Sequence, residues 1–105
     1  MDDIFISYVA QDKDFATVLI ERLRENGLKV IDGRLGLGDS LSNKVSKGLQ
    51  QATYVMLILS STFFAKSWPR YEFEEIDRLD KEFESKTKLL PVWHEIDRQS
   101  VAYYA

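Results

Sequence analysis

The six residues from Tyr54 to Leu59 (YVMLIL) are apolar at every position. A strand half open to water would alternate polar and apolar side chains, and this one does not. It must be covered on both faces, as strands are in a parallel sheet between helix layers. Three more short runs can pair with it: Asp3 to Tyr8 (DIFISY), Leu28 to Ile31 (LKVI) and Lys88 to Trp93 (KLLPVW). Helical periodicity fills the intervals. Phe15, Val18, Leu19 and Leu23 share one predicted face, and Leu41, Val45 and Leu49 a second. Phe73, Ile76, Leu79 or Asp80, and Phe83 mark a third. The order is strand and helix three times over, then a last strand. It predicts an α/β domain with a central parallel sheet, right-handed crossovers and helices on both faces.

Local signals set the element ends. Asp12 is expected to cap the first helix through its side-chain oxygen, and Gly27 to stop it in a left-handed conformation. Asp39 or Ser40 suits the cap of the second helix. Gly48 inside that helix costs about 1 kcal/mol relative to alanine, which predicts close packing there. Ser67 or Trp68 is expected to cap the third helix, with Pro69 near its first turn. Asp32 to Gly38, with three glycines, reads as a loop, and Ser60-Ser61-Thr62 as a corner. Pro91 places the last strand at an edge or marks its end.

A length of 105 residues supports one domain, and 45% hydrophobic content supports a modest core. A net charge of −3 leaves no electrostatic footprint for nucleic acid. The chain has no basic amphipathic stretch for a membrane surface, and its apolar runs are too short to span one. The acidic start, MDDIF, enters a strand directly and does not resemble a secretory signal. With no cysteine, disulfides, thiolate metal sites and cysteine nucleophiles are excluded. The lone histidine, His94, makes no metal cluster by itself. No metal and no cofactor are expected, and the reducing, cytoplasmic setting fits.

In an open parallel sheet, ligands bind beyond the carboxyl ends of the strands. Glu72 lies one turn into a helix just beyond the end of the Tyr54–Leu59 strand, which makes it a candidate. Helical carboxylates are mostly solvated, and Glu74 and Glu75 compete with it. Trp68 and Tyr71 belong to the core or stack on a ligand ring, the core being the commoner fate. Ser60 and Ser61 have no base near them in sequence, and a triad with His94 has no support. The glycine segment reads G-x-x-G-x-G after the second strand. It is neither a dinucleotide fingerprint nor a P-loop.

Together these segments resemble the Toll/interleukin-1 receptor (TIR) domain family in its bacterial form. DIFISY with its continuation SYVAQDKDF is similar to the family's first box. GDSLSNKVSKGL at 38–49, VMLILSSTFFAKSWPRYEFE at 55–74 and LLPVW at 89–93 resemble later boxes, in order and at family spacing. The resemblance implies a flavodoxin-like three-layer fold and a single TIR domain over 1–105 that stops short of the family's final helix. It implies an NAD⁺ glycohydrolase that cuts the ribose–nicotinamide bond, with NAD⁺ as substrate and ADP-ribose or a cyclic variant as product. Glu72, four residues after Trp68, would be the catalytic residue. Ser7, Tyr8, Asp32, Arg34, Leu35 and Trp68 would bind substrate. Activation by homotypic TIR–TIR self-association, a fused or separate sensor domain, and a role in prokaryotic immunity or signalling are implied too. The sequence departs from the family in carrying Val9-Ala10-Gln11 where some members have arginines, and Ile31 where an aromatic is usual. Two other readings remain. A TIR adaptor without enzymatic activity would leave Glu72 as surface decoration, and a deoxyribosyltransferase-like enzyme would need more acidic site residues.

Overall fold

The computed structural model describes residues 2–36, 38–66, 68–83 and 88–94. Its four strands are β1 (Asp2–Val9), β2 (Val30–Leu35), β3 (Ala52–Ser60) and β4 (Lys88–His94). They form one sheet in the order β2-β1-β3-β4, with every pairing parallel. A 3-10 turn (Ala10–Asp12) leads into α1 (Lys13–Glu25). The other helices are α2 (Leu41–Gln51), α3 (Ser61–Ala65) and α4 (Arg70–Phe83). The fold is the expected α/β one, flavodoxin-like, with helices on both faces of the sheet.

Alternation along β1 sorts the core into two layers. Ile4, Ile6 and Tyr8 pack with Ala16 and Ile20 of α1, together with Val30 and Ile58. Phe5 and Val9 point the other way and join Leu41, Val45 and Leu49 of α2, Phe63 of α3, and Ile76 and Leu79 of α4. By the same alternation Ser7 faces the second layer. β3 is covered on both sides beyond Tyr54, with Val55 and Ile58 fully enclosed, whereas Tyr54, the first residue of the apolar run, is 42% exposed. β4 lies at the edge, where Pro91 sits opposite Leu57.

Several local expectations change. β2 starts two residues later than LKVI, ends four residues later and takes in Asp32-Gly33-Arg34-Leu35, so part of the supposed glycine loop is strand. The parallel register continues Ile6 to Asp32, Ser7 to Gly33 and Tyr8 to Arg34. Gly33 is there for space: a Cβ on it would lie 2.3 Å from Cε1 of Phe5. Gly48 serves the same ring, with its hypothetical Cβ 2.6 Å from Cδ1 of Phe5. The close packing expected at Gly48 is therefore contact with Phe5. Gly27 ends α1 with φ of +86°, as expected.

The corner after β3 is a short helix, α3, started by Ser60, whose hydroxyl accepts from the Phe63 N–H at 3.0 Å. Ser40 caps α2 by accepting from the Asn43 N–H at 3.3 Å. Asp39 instead accepts from the Gly36 N–H. Asp12 makes no capping hydrogen bond to α1. On α1, Val18 is 50% exposed, because Ala16 and Ile20 form the buried stripe. On α4, Phe73 is 37% exposed and Glu72 takes the inner position with Ile76 and Leu79. Ser67, one expected cap of α4, and a final helix after Trp93 from residue 95 onward lie outside the described residues. Trp68, the other expected cap, commits its indole N–H to the Phe63 carbonyl at 2.9 Å.

Candidate active site

β1 connects to β2 on one side, and β3 lies on the other, so the strand order reverses between β1 and β3. Such a switch point opens a crevice at the carboxyl ends of the strands. Asp12, just past β1, and Ser60, the last residue of β3, meet there. Both are buried, and the Ser60 hydroxyl donates to Oδ2 of Asp12 at 2.5 Å. Asp12 thus bridges two strand ends instead of capping α1. The residues stand 48 apart in sequence, and nothing local announces the pairing.

Glu72 lies on the α2 side of the sheet in the first turn of α4 and is only 5% exposed. Its Oε2 accepts from the Ser42 backbone N–H at 2.6 Å. The Ser40 hydroxyl donates toward Oε1 at 3.0 Å and Oε2 at 3.2 Å. The carboxylate therefore sits on the amino end of α2, where unpaired N–H groups and the helix dipole favour an anion. Burial pushes the carboxyl upward. The Ser42 N–H, the hydroxyls of Ser42 and Ser40 and the Leu41 N–H outweigh it and hold Glu72 below the ordinary 4.5. Glu72 is an ionised carboxylate enclosed by neutral donors. Its rivals face water: Glu74 pairs with Arg70 at 3.2 Å, and Glu75 pairs with Arg78.

The other predicted site residues fall into two groups. On the α1 side, the Tyr8 hydroxyl donates to Oδ1 of Asp32 at 2.8 Å, and the Arg34 N–H reaches the same oxygen at 3.2 Å. Burial, followed by the hydrogen bond to Asp32, pushes the Tyr8 phenol up to about 12, so it remains a donor. On the other side, Ser7 is fully buried and its hydroxyl has no hydrogen-bond partner among the described residues. Leu35 is a core residue 3% exposed, in the same layer as Phe5. Trp68 packs on Phe63 with ring centroids 5.6 Å apart. The structure therefore puts Ser7, Leu35, Trp68 and Glu72 on one side of the sheet, and Tyr8, Asp32 and Arg34 on the other.

Two concavities flank this region. One of about 370 Å³ opens at the start of α2, lined by Gly38, Asp39, Ser40, Asn43, Lys44 and Lys47. Ser40 thus lines the surface and contacts Glu72 behind it. The second, about 1070 Å³, runs between α4 and β4 past Trp68, Phe73 and Trp93. His94 stacks on Phe15 at 3.9 Å. Among the described residues, no group of three or more His, Asp or Glu side chains is placed to hold a metal ion, and no helix is long and apolar enough to cross a membrane.

A parallel sheet in this order, with a buried carboxylate of α4 at the start of α2, defines an α/β domain with its candidate site at the strand ends. The chain belongs to the TIR domain family, whose model matches residues 4–103. Among characterised relatives, the NAD(+) hydrolase TcpA of Theionarchaea archaeon is 38% identical over 98% of this chain and 32% of its own length. The 2' cyclic ADP-D-ribose synthase AbTIR of Acinetobacter baumannii is 35% identical over 98% of this chain and 39% of its own. The chain thus spans about a third of the length of these relatives. Among solved structures, the TIR domains of the activated Roq1 resistosome superpose with a TM-score of 0.72 at 23% identity, covering 98% of this chain and 63% of that one. That likeness supports the fold.

Proposed function

We propose that this chain is a catalytic TIR domain that cleaves NAD⁺ between ribose and nicotinamide, with Glu72 as its catalytic residue. The observation that carries the reading is the state of Glu72: buried, ionised and held by donors of α2, in a family with two NAD⁺-processing relatives over nearly the whole chain. The adaptor reading made Glu72 surface decoration, and its 5% exposure argues against that.

The chemistry follows from the substrate. The C1′–N bond breaks, its electron pair goes to the pyridinium nitrogen, and nicotinamide departs neutral without a general acid. Positive charge develops on the ribose, as in glycoside hydrolysis. A carboxylate already ionised and fixed stabilises that charge with little reorganisation. Water then adds at C1′ and releases a proton, giving ADP-ribose; a hydroxyl of the same molecule in place of water gives a cyclic product. Ser7, Tyr8, Asp32, Arg34, Leu35 and Trp68 are the proposed substrate-binding residues. The buried, unpartnered Ser7 hydroxyl supports the assignment most directly, because an orphaned buried donor often marks a functional position. Residues 1–105 form one TIR domain in this reading, acting in the cytoplasm on NAD⁺ without another cofactor. Self-association, as the family resemblance implies, completes the site, and a sensor domain, fused or separate, triggers it.

The test is nicotinamide release from NAD⁺ at high protein concentration, for wild type and Glu72→Gln matched for folding by circular dichroism. Turnover by wild type alone is expected. Equal turnover in both places the chemistry elsewhere, and none in either, even after forced clustering, favours the adaptor.

A further inference from the structure

The Ser40 hydroxyl has one proton and two lone pairs to share among its neighbours. Its proton points to Glu72, with contacts of 3.0 and 3.2 Å to the two carboxylate oxygens. One lone pair accepts the Asn43 N–H at 3.3 Å and starts α2. The Ser42 hydroxyl lies 3.2 Å away, where either oxygen can be the donor. Ser42 also gives its backbone N–H to Glu72 at 2.6 Å. One side chain thus ties the first turn of α2 to a carboxylate 32 residues away. It also lines the surface concavity at the start of α2.

We propose that Ser40 is a positioning residue for Glu72, its hydroxyl fixing the direction of the carboxylate that meets the substrate ribose. This rests on the reading of Glu72 as the catalytic residue. Without Ser40, the carboxylate keeps only donors of Leu41 and Ser42, and its last torsion is broad. The Ser40 hydroxyl, in contact with both oxygens, narrows that freedom. The geometry separates this role from simple capping. Glycine is nearly as good an N-cap as serine, whereas alanine is much poorer. Ser40→Gly therefore keeps α2 and removes only the donor, while Ser40→Ala removes both. Ser40→Thr keeps the hydroxyl.

The experiment measures kcat and KM for NAD⁺ cleavage in Ser40→Gly, Ser40→Thr, Ser40→Ala and Glu72→Gln, each alongside its urea midpoint. Losing a hydrogen bond to a charged group predicts a kcat lowered about tenfold or more in Ser40→Gly. KM should stay within about twofold, the urea midpoint should fall less in Ser40→Gly than in Ser40→Ala because glycine still caps the helix, and Ser40→Thr should recover most of the turnover. Ser40→Gly with wild-type kcat, beside an inactive Glu72→Gln, overturns the proposal and leaves Glu72 in place. A kcat loss shared equally by Ser40→Gly and Ser40→Thr also overturns it, because the hydroxyl is then not what matters. Glu72→Gln with wild-type turnover overturns both the catalytic reading and this one.

Discussion

The two sides of α4 carry the same residue types in opposite circumstances. Toward α2, Glu72 is buried and receives neutral donors from Ser40 and Ser42. Toward water, Arg70 pairs with Glu74, Asp77 with Lys81, and Arg78 with both Glu75 and Glu82. The outer pairs are one helical turn apart, exposed and screened, and such pairs contribute little. The inner carboxylate is bound by another element and excluded from water. Both Glu72 and Glu75 are held below the ordinary carboxylate value. For Glu75 the leading cause is one exposed Arg78 side chain, whereas for Glu72 burial is opposed by the backbone and hydroxyl donors of another helix's end. A perturbed carboxylate is a site candidate when the perturbing groups cannot move away, and that distinguishes the two.

The contrast can be broken most forcefully at Glu72. Glu72→Ala should abolish nicotinamide release and also lower stability by about 1–3 kcal/mol, since the Ser42 N–H loses its buried acceptor. A urea titration beside the activity assay separates the two effects. If stability is unchanged, the α2 contact is not holding anything.

Next in size is Gly48→Ala, which tests the seat of α2 and not its donors. The added methyl meets Phe5 at 2.6 Å and Val55 at 3.1 Å, and overpacking of this kind costs about 1–3 kcal/mol. Phe5→Leu in the same chain should recover part of the loss, as seen in the thermal midpoint. A neutral Gly48→Ala would show that α2 shifts freely, and then it could not hold Glu72.

Acid sharpens the contrast. The folded-state value for Glu72 lies below the ordinary 4.5, so between the two values the unfolded chain binds the extra proton and stability rises with pH. Its increment is complete above the ordinary value and disappears as pH falls through the folded one. Glu72→Gln should flatten the acid limb of a stability-against-pH curve, and Glu75→Gln should leave it nearly unchanged because water screens that pair.

The smallest effect belongs to the outer face. Arg78→Ala breaks the contacts to Glu75 and Glu82. It should leave the urea midpoint and the turnover close to wild type, with any residual difference vanishing in high salt. A clear loss of turnover would mean that the outer face takes part in the site.

Much of this was legible in the chain. The apolar run ending at Leu59 announced a strand covered on both sides, and β3 is that strand. Glu72 was singled out from its place after the strand and from the family spacing to Trp68. Its immediate surroundings were not legible. Ser40 and Ser42 lie 32 and 30 residues upstream, in a segment whose cap, apolar face and family motif give no sign of the carboxylate they hold. Asp12 looked like a cap, yet a serine 48 residues on claims it. Gly33 looked like loop because glycine is rare within strands; the ring of Phe5, which excludes a side chain there, is invisible until β1 and β2 are paired.

The sequence by itself determined the alternation of strands and helices, the parallel sheet and the family. The alternation and the sheet follow from apolar periodicity, and the family from the resemblance of its boxes, all of which are properties of neighbours along the chain. Only the tertiary structure decided which side of the sheet each site residue faces, which serines hold Glu72, and that Asp12 bridges two strand ends. Those outcomes depend on register and on where one helix starts relative to another. A shift of one residue in β1 would carry Ser7 and Tyr8 to opposite layers, since successive side chains in a strand point to opposite faces. Hydrogen bonds and burial between distant segments choose among such registers, and no local stretch of sequence contains that information.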